Sequence, residues 1–128
     1  MLYPNRYNLP PTDSLKPVWW VGSAKADLIA MPAEVVDLFG YALHLAQAGG
    51  KHPQAKPLKG FGGARVLEVV DDFRGDTFRA IYTTTIGDAI YVLHCFQKKS
   101  TRGIATPRRE MEKIHARWRA ALRHAEGE

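Results

Sequence analysis

The chain has 128 residues, 14.3 kDa and 45% hydrophobic residues, enough for one ordinary domain with one core. Its single cysteine, Cys95, excludes an internal disulfide and has no second thiol or nearby histidines at metal-ligand spacing, so it reads as buried, inert and in a reducing compartment. The net charge of +5 is unevenly placed: Met1–Leu93 carry nine Lys or Arg and nine Asp or Glu, whereas His94–Glu128 carry nine against four, and a basic last third attracts polyanions, nucleic acid first among them.

The first segment, "MLYPNRYNLPPTDSLKP", has four prolines and little periodicity. It predicts an extended, Pro-rich N-terminal arm over 1–16, with a single domain over 17–128. It has no charged-then-apolar leader, and no apolar stretch approaches the roughly 20 residues that span a bilayer, so a cytoplasmic protein with no membrane partner is expected.

"PVWWVG" predicts a first strand ending at Gly22. "SAKADLIAM" predicts a helix capped by Ser23, and Pro32 either kinks it or opens a second helix. Val35, Val36, Phe39, Leu43 and Ala46 recur at helical spacing, with Gly49-Gly50 as a stop. The stretch "KHPQAKPLKGFGG" reads as a basic loop. Three β-like runs follow, "ARVLEVVDD", "TFRAIYTTT" and "DAIYVLHCFQ", and the short connections "FRGD" and "IGD" predict an antiparallel meander. A last helix from about Thr106 has an apolar stripe of Met111, Ile114, Trp118, Ala121 or Leu122, and Ala125. The expected fold is a small α+β domain of strand, helical hairpin, three-stranded meander and C-terminal helix, with helices on one sheet face and the other face available.

The junction "YVLHCFQKKSTRGIATPRREMEK" holds five Lys or Arg between its strand-like start and its helix-like end. Thr106-Pro107 is a good cap and first-turn pair, yet Arg108 and Arg109 occupy the first turn, where the helix dipole disfavours cations by about 0.3–1 kcal/mol each. An anion held by the dipole, these arginines, Lys98 and Lys99 would turn that cost into a gain. The alternative is that the side chains bend away into solvent.

Glu68 and Arg79 each interrupt an apolar strand run. An unpaired core charge is costly, so they either form a cross-strand ion pair or Arg79 stands on an open face beside Lys98 and Lys99 in a basic cleft. RNA cleavage by the ribose 2′-hydroxyl needs a base at that oxygen, cations around the phosphorus and a proton donor at the leaving oxygen. Arg79 suits a phosphate, Lys98 and Lys99 add charge or act as acid or base, and Glu68 is a candidate base. Tyr82 and His94 are candidate donors, with packing in the core as the competing role. His44, His52, His94, His115 and His124 are scattered, so no metal and no cofactor are expected.

The order strand, helical hairpin, "PLKGF", "VLEVV", "FRAIY", "YVLHCFQKKS" and "GIATPRREMEKI" resembles the RelE/ParE superfamily of toxins from bacterial type II toxin–antitoxin pairs, most closely its HigB-like, phage-derived branch. The resemblance runs from about Lys16 to Arg123. Its most specific parts are the Arg-x-x-Tyr of "FRAIY" and the aromatic-x-Lys-Lys of "LHCFQKKS", followed by "ATP" opening the last helix. It implies an endoribonuclease, an mRNA interferase that cuts messenger RNA on the translating ribosome and so inhibits translation. It also implies a helix-turn-helix antitoxin encoded in the same operon. Carried over, Arg79 matches the strand arginine that contacts the scissile phosphate, Glu68 falls near a charged participant, and Lys98 and Lys99 fall where relatives place basic residues. The catalytic candidates are thus Arg79, Lys98, Lys99, Glu68 and Tyr82. Candidate RNA or ribosome contacts are Lys51, Lys56, Lys59, Arg65, Arg102, Arg108, Arg109, Lys113 and Arg117. A non-enzymatic toxin of the same fold that poisons DNA gyrase, and a nucleic-acid-binding accessory protein, stay open as alternatives.

Overall fold

A computed structural model describes residues 15–63, 65–98 and 106–127. Strand β1 (Val18–Trp20) leads into helices α1 (Ala24–Ile29) and α2 (Ala33–Gln47); strands β2 (Ala55–Pro57), β3 (Val66–Phe73), β4 (Asp76–Thr83) and β5 (Ile90–Lys98) follow, then helix α3 (Arg108–Ala125). The five strands form one sheet in the order β1-β5-β4-β3-β2, antiparallel except for the β1–β5 pair.

The β3–β4 hairpin sets the frame. Its connecting residues Arg74 and Gly75 have φ of 52° and 85°, the left-handed conformation at both central positions that matches the twist of two paired strands. The turn centres the register, so Val70 lies opposite Arg79 and Glu68 opposite Ile81. Residues of β3 and β4 then alternate between faces. Leu67, Val69, Phe78, Ala80 and Tyr82 face α1 and α2, while Val66 and Ile81 face α3.

Helix α2 buries Val35, Phe39, Ala42, Leu43 and Ala46, the expected stripe, although Val36 is only half-buried. Pro32 opens this helix rather than kinking a longer one. Gly49, at φ 88°, follows the last turn as expected. The end of the predicted arm is tied in place: Lys16 N–H donates to the Gln47 carbonyl at 3.0 Å, and Gln47 Nε2 donates to the Lys16 carbonyl at 2.8 Å. Residues 1–14 lie outside the described residues.

Three expectations change. The sheet does not leave a face available: α3 packs Ile114 and Ala121 onto it with Leu93, Phe96 and Phe61, giving a second core. Of the alternatives in the α3 stripe, Ala121 is the buried residue and Leu122 is exposed, as is Ala125. The basic loop holds a short strand, β2, which three residues and a proline made invisible to pattern. Pro57 is tolerable there because β2 is an edge strand.

Candidate active site

On the α3 face, the register lines up Lys56, Glu68, Ile81 and His94 across four strands; the next row along is Val70, Arg79 and Phe96, and the next Asp72, Thr77 and Lys98. Glu68 and Arg79 are therefore diagonal neighbours on one face, close enough for long side chains. Arg79 Nη1 donates to Glu68 Oε2 at 3.1 Å, and both residues are buried, with exposures of 5% and 7%. The ion pair is thus the realised one of the two expected arrangements. The same Nη1 donates to Thr106 Oγ1 at 3.1 Å. That contact brings the start of α3 onto the hairpin, so the pair also stands at the basic junction. Lys98, 8% exposed, follows Phe96 on the same face.

Thr106 does not cap the helix. Pro107 takes the cap position with no side-chain cap hydrogen bond among the described residues, and the threonine hydroxyl serves Arg79 instead. The first turn of α3 is less discordant than its arginines suggest, because Glu110 also lies in it and Arg108 Nε reaches Glu112 Oε1 at 3.2 Å. Arg108 and Arg109 are both exposed.

Tyr82 is not brought to this cluster. Three residues beyond Arg79 on a strand, it points to the opposite face, where it is wholly buried in the core that α1 and α2 share with the sheet, and burial pushes its phenol up to about 12. Its hydroxyl has no hydrogen-bond partner among the described residues. Lys99 and Arg102 lie outside the described residues. Lys56 is exposed and sits directly across from Glu68. Lys113 is exposed on α3 and Lys59 is exposed in the loop that packs on it, where a Cβ at Gly60 would stand 3.5 Å from Met111. Arg65 is exposed at the start of β3, the end of the sheet remote from Lys98, and Lys51 is exposed after α2.

Arg117, a candidate RNA contact, is half-buried and engaged within the fold. Its Nη1 donates to the Leu93 carbonyl at 3.0 Å and to His94 Nδ1 at 3.2 Å, and its Nη2 donates to Ser23 Oγ at 2.9 Å. His94 Nε2 meets Glu110 Oε1 at 2.9 Å, so both ring nitrogens are engaged within the fold. Glu110, Ile114, Arg117 and Ala121 recur at helical spacing on one flank of α3; that periodicity was the available signal that two of the helix's charges face inward.

A family model described as Phage derived protein Gp49-like (DUF891) matches residues 26–119, from α1 through most of α3. The chain belongs to the Gp49-like family of phage-derived proteins. This family is associated with RelE-like toxins of toxin–antitoxin pairs, which suggests an antitoxin as a partner of this Gp49-like protein. The match covers the Glu68–Arg79 pair, Lys98, Thr106 and the His94 contacts. No curated protein matches the chain. No described helix of this Gp49-like chain is long and apolar enough to cross a membrane, and no group of three or more His, Cys, Asp or Glu is placed to hold a metal ion among the described residues.

Proposed function

We propose that this Gp49-like protein is the toxin of a toxin–antitoxin pair and cuts messenger RNA on the translating ribosome, with Arg79, Lys98, Lys99 and Glu68 carrying the reaction. The observation that supports this reading best is the placement of Arg79: one guanidinium nitrogen shared between a carboxylate and a hydroxyl at the junction of β5 and α3. In the proposed complex a non-bridging phosphate oxygen takes the place of Thr106 Oγ1 on that nitrogen, and Lys98 adds a second positive charge. Glu68, released from part of its pairing by the phosphate, accepts the ribose 2′-hydroxyl proton. The 2′-oxygen then bonds to phosphorus, the bond from phosphorus to the 5′-oxygen breaks, and an ammonium proton from Lys98 or Lys99 goes to that leaving oxygen. The products are a 2′,3′-cyclic phosphate and a 5′-hydroxyl.

A site with so few parts depends on a partner to align the message, and alignment alone supplies a large share of a rate. Lys56, Lys59, Arg65, Arg102, Arg108, Arg109 and Lys113 are the proposed contacts to ribosomal RNA, acting through phosphate charge. A helix-turn-helix antitoxin is the proposed inhibitor.

The experiment is a translation reaction on a defined message, with the 5′ ends mapped by primer extension. Wild type, Arg79→Lys and Lys98→Met are compared, each with and without ribosomes. Ribosome-dependent cuts that drop steeply in both variants support the assignment. An intact message with wild type removes the nuclease reading and leaves a binding toxin.

A further inference from the structure

The geometry points to His94 as a positioning residue: as a neutral imidazole it latches α3 to the sheet and to α1, and a proton on it opens one side of the latch. The inference goes beyond the proposed reaction and rests on it only for the activity readout.

The strand itself is adapted to this contact. Tyr82 lies opposite Val92 and Ile81 opposite His94, leaving Leu93 as the extra residue of a β-bulge. The bulge lets Leu93 and His94, adjacent in sequence, both serve the α3 side: Leu93 is in that core, and His94 contacts Glu110 and Arg117. His94 is 3% exposed and stacks on Phe96 at 4.7 Å between ring centroids.

Its protonation state follows from its partners. A guanidinium has no acceptor and stays charged, so Arg117 Nη1 donates and Nδ1 must be the acceptor. The proton of the neutral ring is therefore on Nε2, where Glu110 accepts it. One ring thus grips α3 at Glu110 and at Arg117, seven residues apart and on either side of the fully buried Ile114. Arg117 carries the grip onward to Ser23 at the start of α1, whose hydroxyl donates to Asp27 Oδ2 at 2.7 Å. A second observation shows the backbone accommodating this arginine. Gly22 has φ 57°, and a Cβ there would lie 2.9 Å from Arg117 Nε. Glu110 lies four residues after Thr106, the residue on Arg79, so the latch sets where the start of α3 meets the proposed site.

A second proton can enter only at Nδ1. There it puts N–H against N–H and cation against cation, so Arg117 Nη1 must turn away from the ring. The charged groups around the ring are Glu110, Lys113 and Arg117 from α3; the sheet contributes Glu68 in the same row, beyond Ile81, and α1 contributes Asp27 through Ser23. Lys113 and Arg117 oppose the extra proton and Glu110 favours it. The acid state therefore keeps the Glu110 contact and loses the Arg117 one.

The test is imidazole ¹⁵N NMR from pH 8 to pH 5 on wild type, His94→Gln and Arg117→Leu, with the Arg117 side-chain Nε–H signal followed in parallel. Glutamine offers one donor and one acceptor but takes no proton in this range. Wild type should show Nε2–H at pH 8, and the Arg117-released form should grow about tenfold per pH unit as His94 titrates, the limit for one proton. His94→Gln should hold Arg117 at every pH. Arg117→Leu should raise the His94 pKa. Message cleavage is measured on the same samples: wild type should lose activity with the His94 titration and His94→Gln should keep a flatter profile. Nδ1–H at pH 8, no titration of His94 above pH 5, or an equal acid response in His94→Gln would each overturn the latch. If no sample cuts message at any pH, the nuclease reading fails while the NMR arms still decide the latch.

Discussion

Glu68 and Arg79 stand diagonally across the β3–β4 hairpin and meet at 3.1 Å with almost no exposure. Two buried charges in contact repay their desolvation only while both are present. Arg79→Ala and Glu68→Ala are each expected to cost about 3–5 kcal/mol by removing one member of a buried ion pair, whereas Arg79→Met with Glu68→Leu should recover most of that loss. Urea unfolding of the four proteins checks it. The proposed cleavage should be absent from all three variants, including the restabilised one, which separates lost chemistry from lost folding.

The pH dependence of stability should follow His94. Burial, the largest cause, lowers its pKa from the ordinary 6.5, with Arg117 and Lys113 adding to this and Glu110 opposing it. The unfolded chain then binds the proton more readily than the folded one, so stability is full above 6.5 and is lost as pH falls toward the folded value. His44 is lowered as well, also mainly by burial, and adds to the same trend. Asp71 is raised from 3.8 by burial and by Asp72, so its contribution is fully present below 3.8 and fades as pH rises through its folded value. The midpoint of urea unfolding should therefore fall between pH 7.5 and pH 5.5, and by less in His94→Gln.

Tyr82→Phe removes a buried hydroxyl that has no partner among the described residues and leaves the ring in place. Stability should stay level or rise by up to about 1 kcal/mol, since an unsatisfied buried polar group is a cost to the native state. The proposed cleavage should continue at the wild-type rate. A large drop in single-turnover rate at unchanged melting temperature would return Tyr82 to the reaction.

Gly22 and Arg117 should be coupled. Gly22→Ala is strained at φ 57° and also pushes on the guanidinium, so a cost of about 1–3 kcal/mol is expected. In an Arg117→Leu background the steric part disappears and only the backbone part remains. A double-mutant cycle by chemical denaturation should show that difference as a coupling energy of about 0.5–3 kcal/mol.

Cys95 is 1% exposed, and burial pushes its thiol up to about 12. The thiolate is the reactive form, so iodoacetamide at pH 8 should leave the native protein unlabelled and label it in urea. Labelling rate against urea concentration then reports opening of the β4–β5 core.

The elements written in local pattern were legible from residues alone. Alternation in "TFRAIYT", the helical recurrence from Val35 to Ala46 and the basic excess after His94 depend on neighbours a few positions apart, and each appears in the fold as a strand, a helix and a cationic helix start. The family motifs belong to the same level. Even the separation of Arg79 from Tyr82 was available, because residues three apart on a strand face opposite sides. The rest depended on contacts between distant segments. Which face α3 would cover, whether Glu68 would find Arg79, and that Thr106 would bond a guanidinium instead of capping a helix are settled by register and by competition for buried space. The bulge at Leu93 and the three-way contact of Arg117 leave no periodic trace, since they join β5, α3 and α1 across more than ninety residues of chain. Their energy comes from satisfying charges away from water, a condition created only when the helix closes over the sheet.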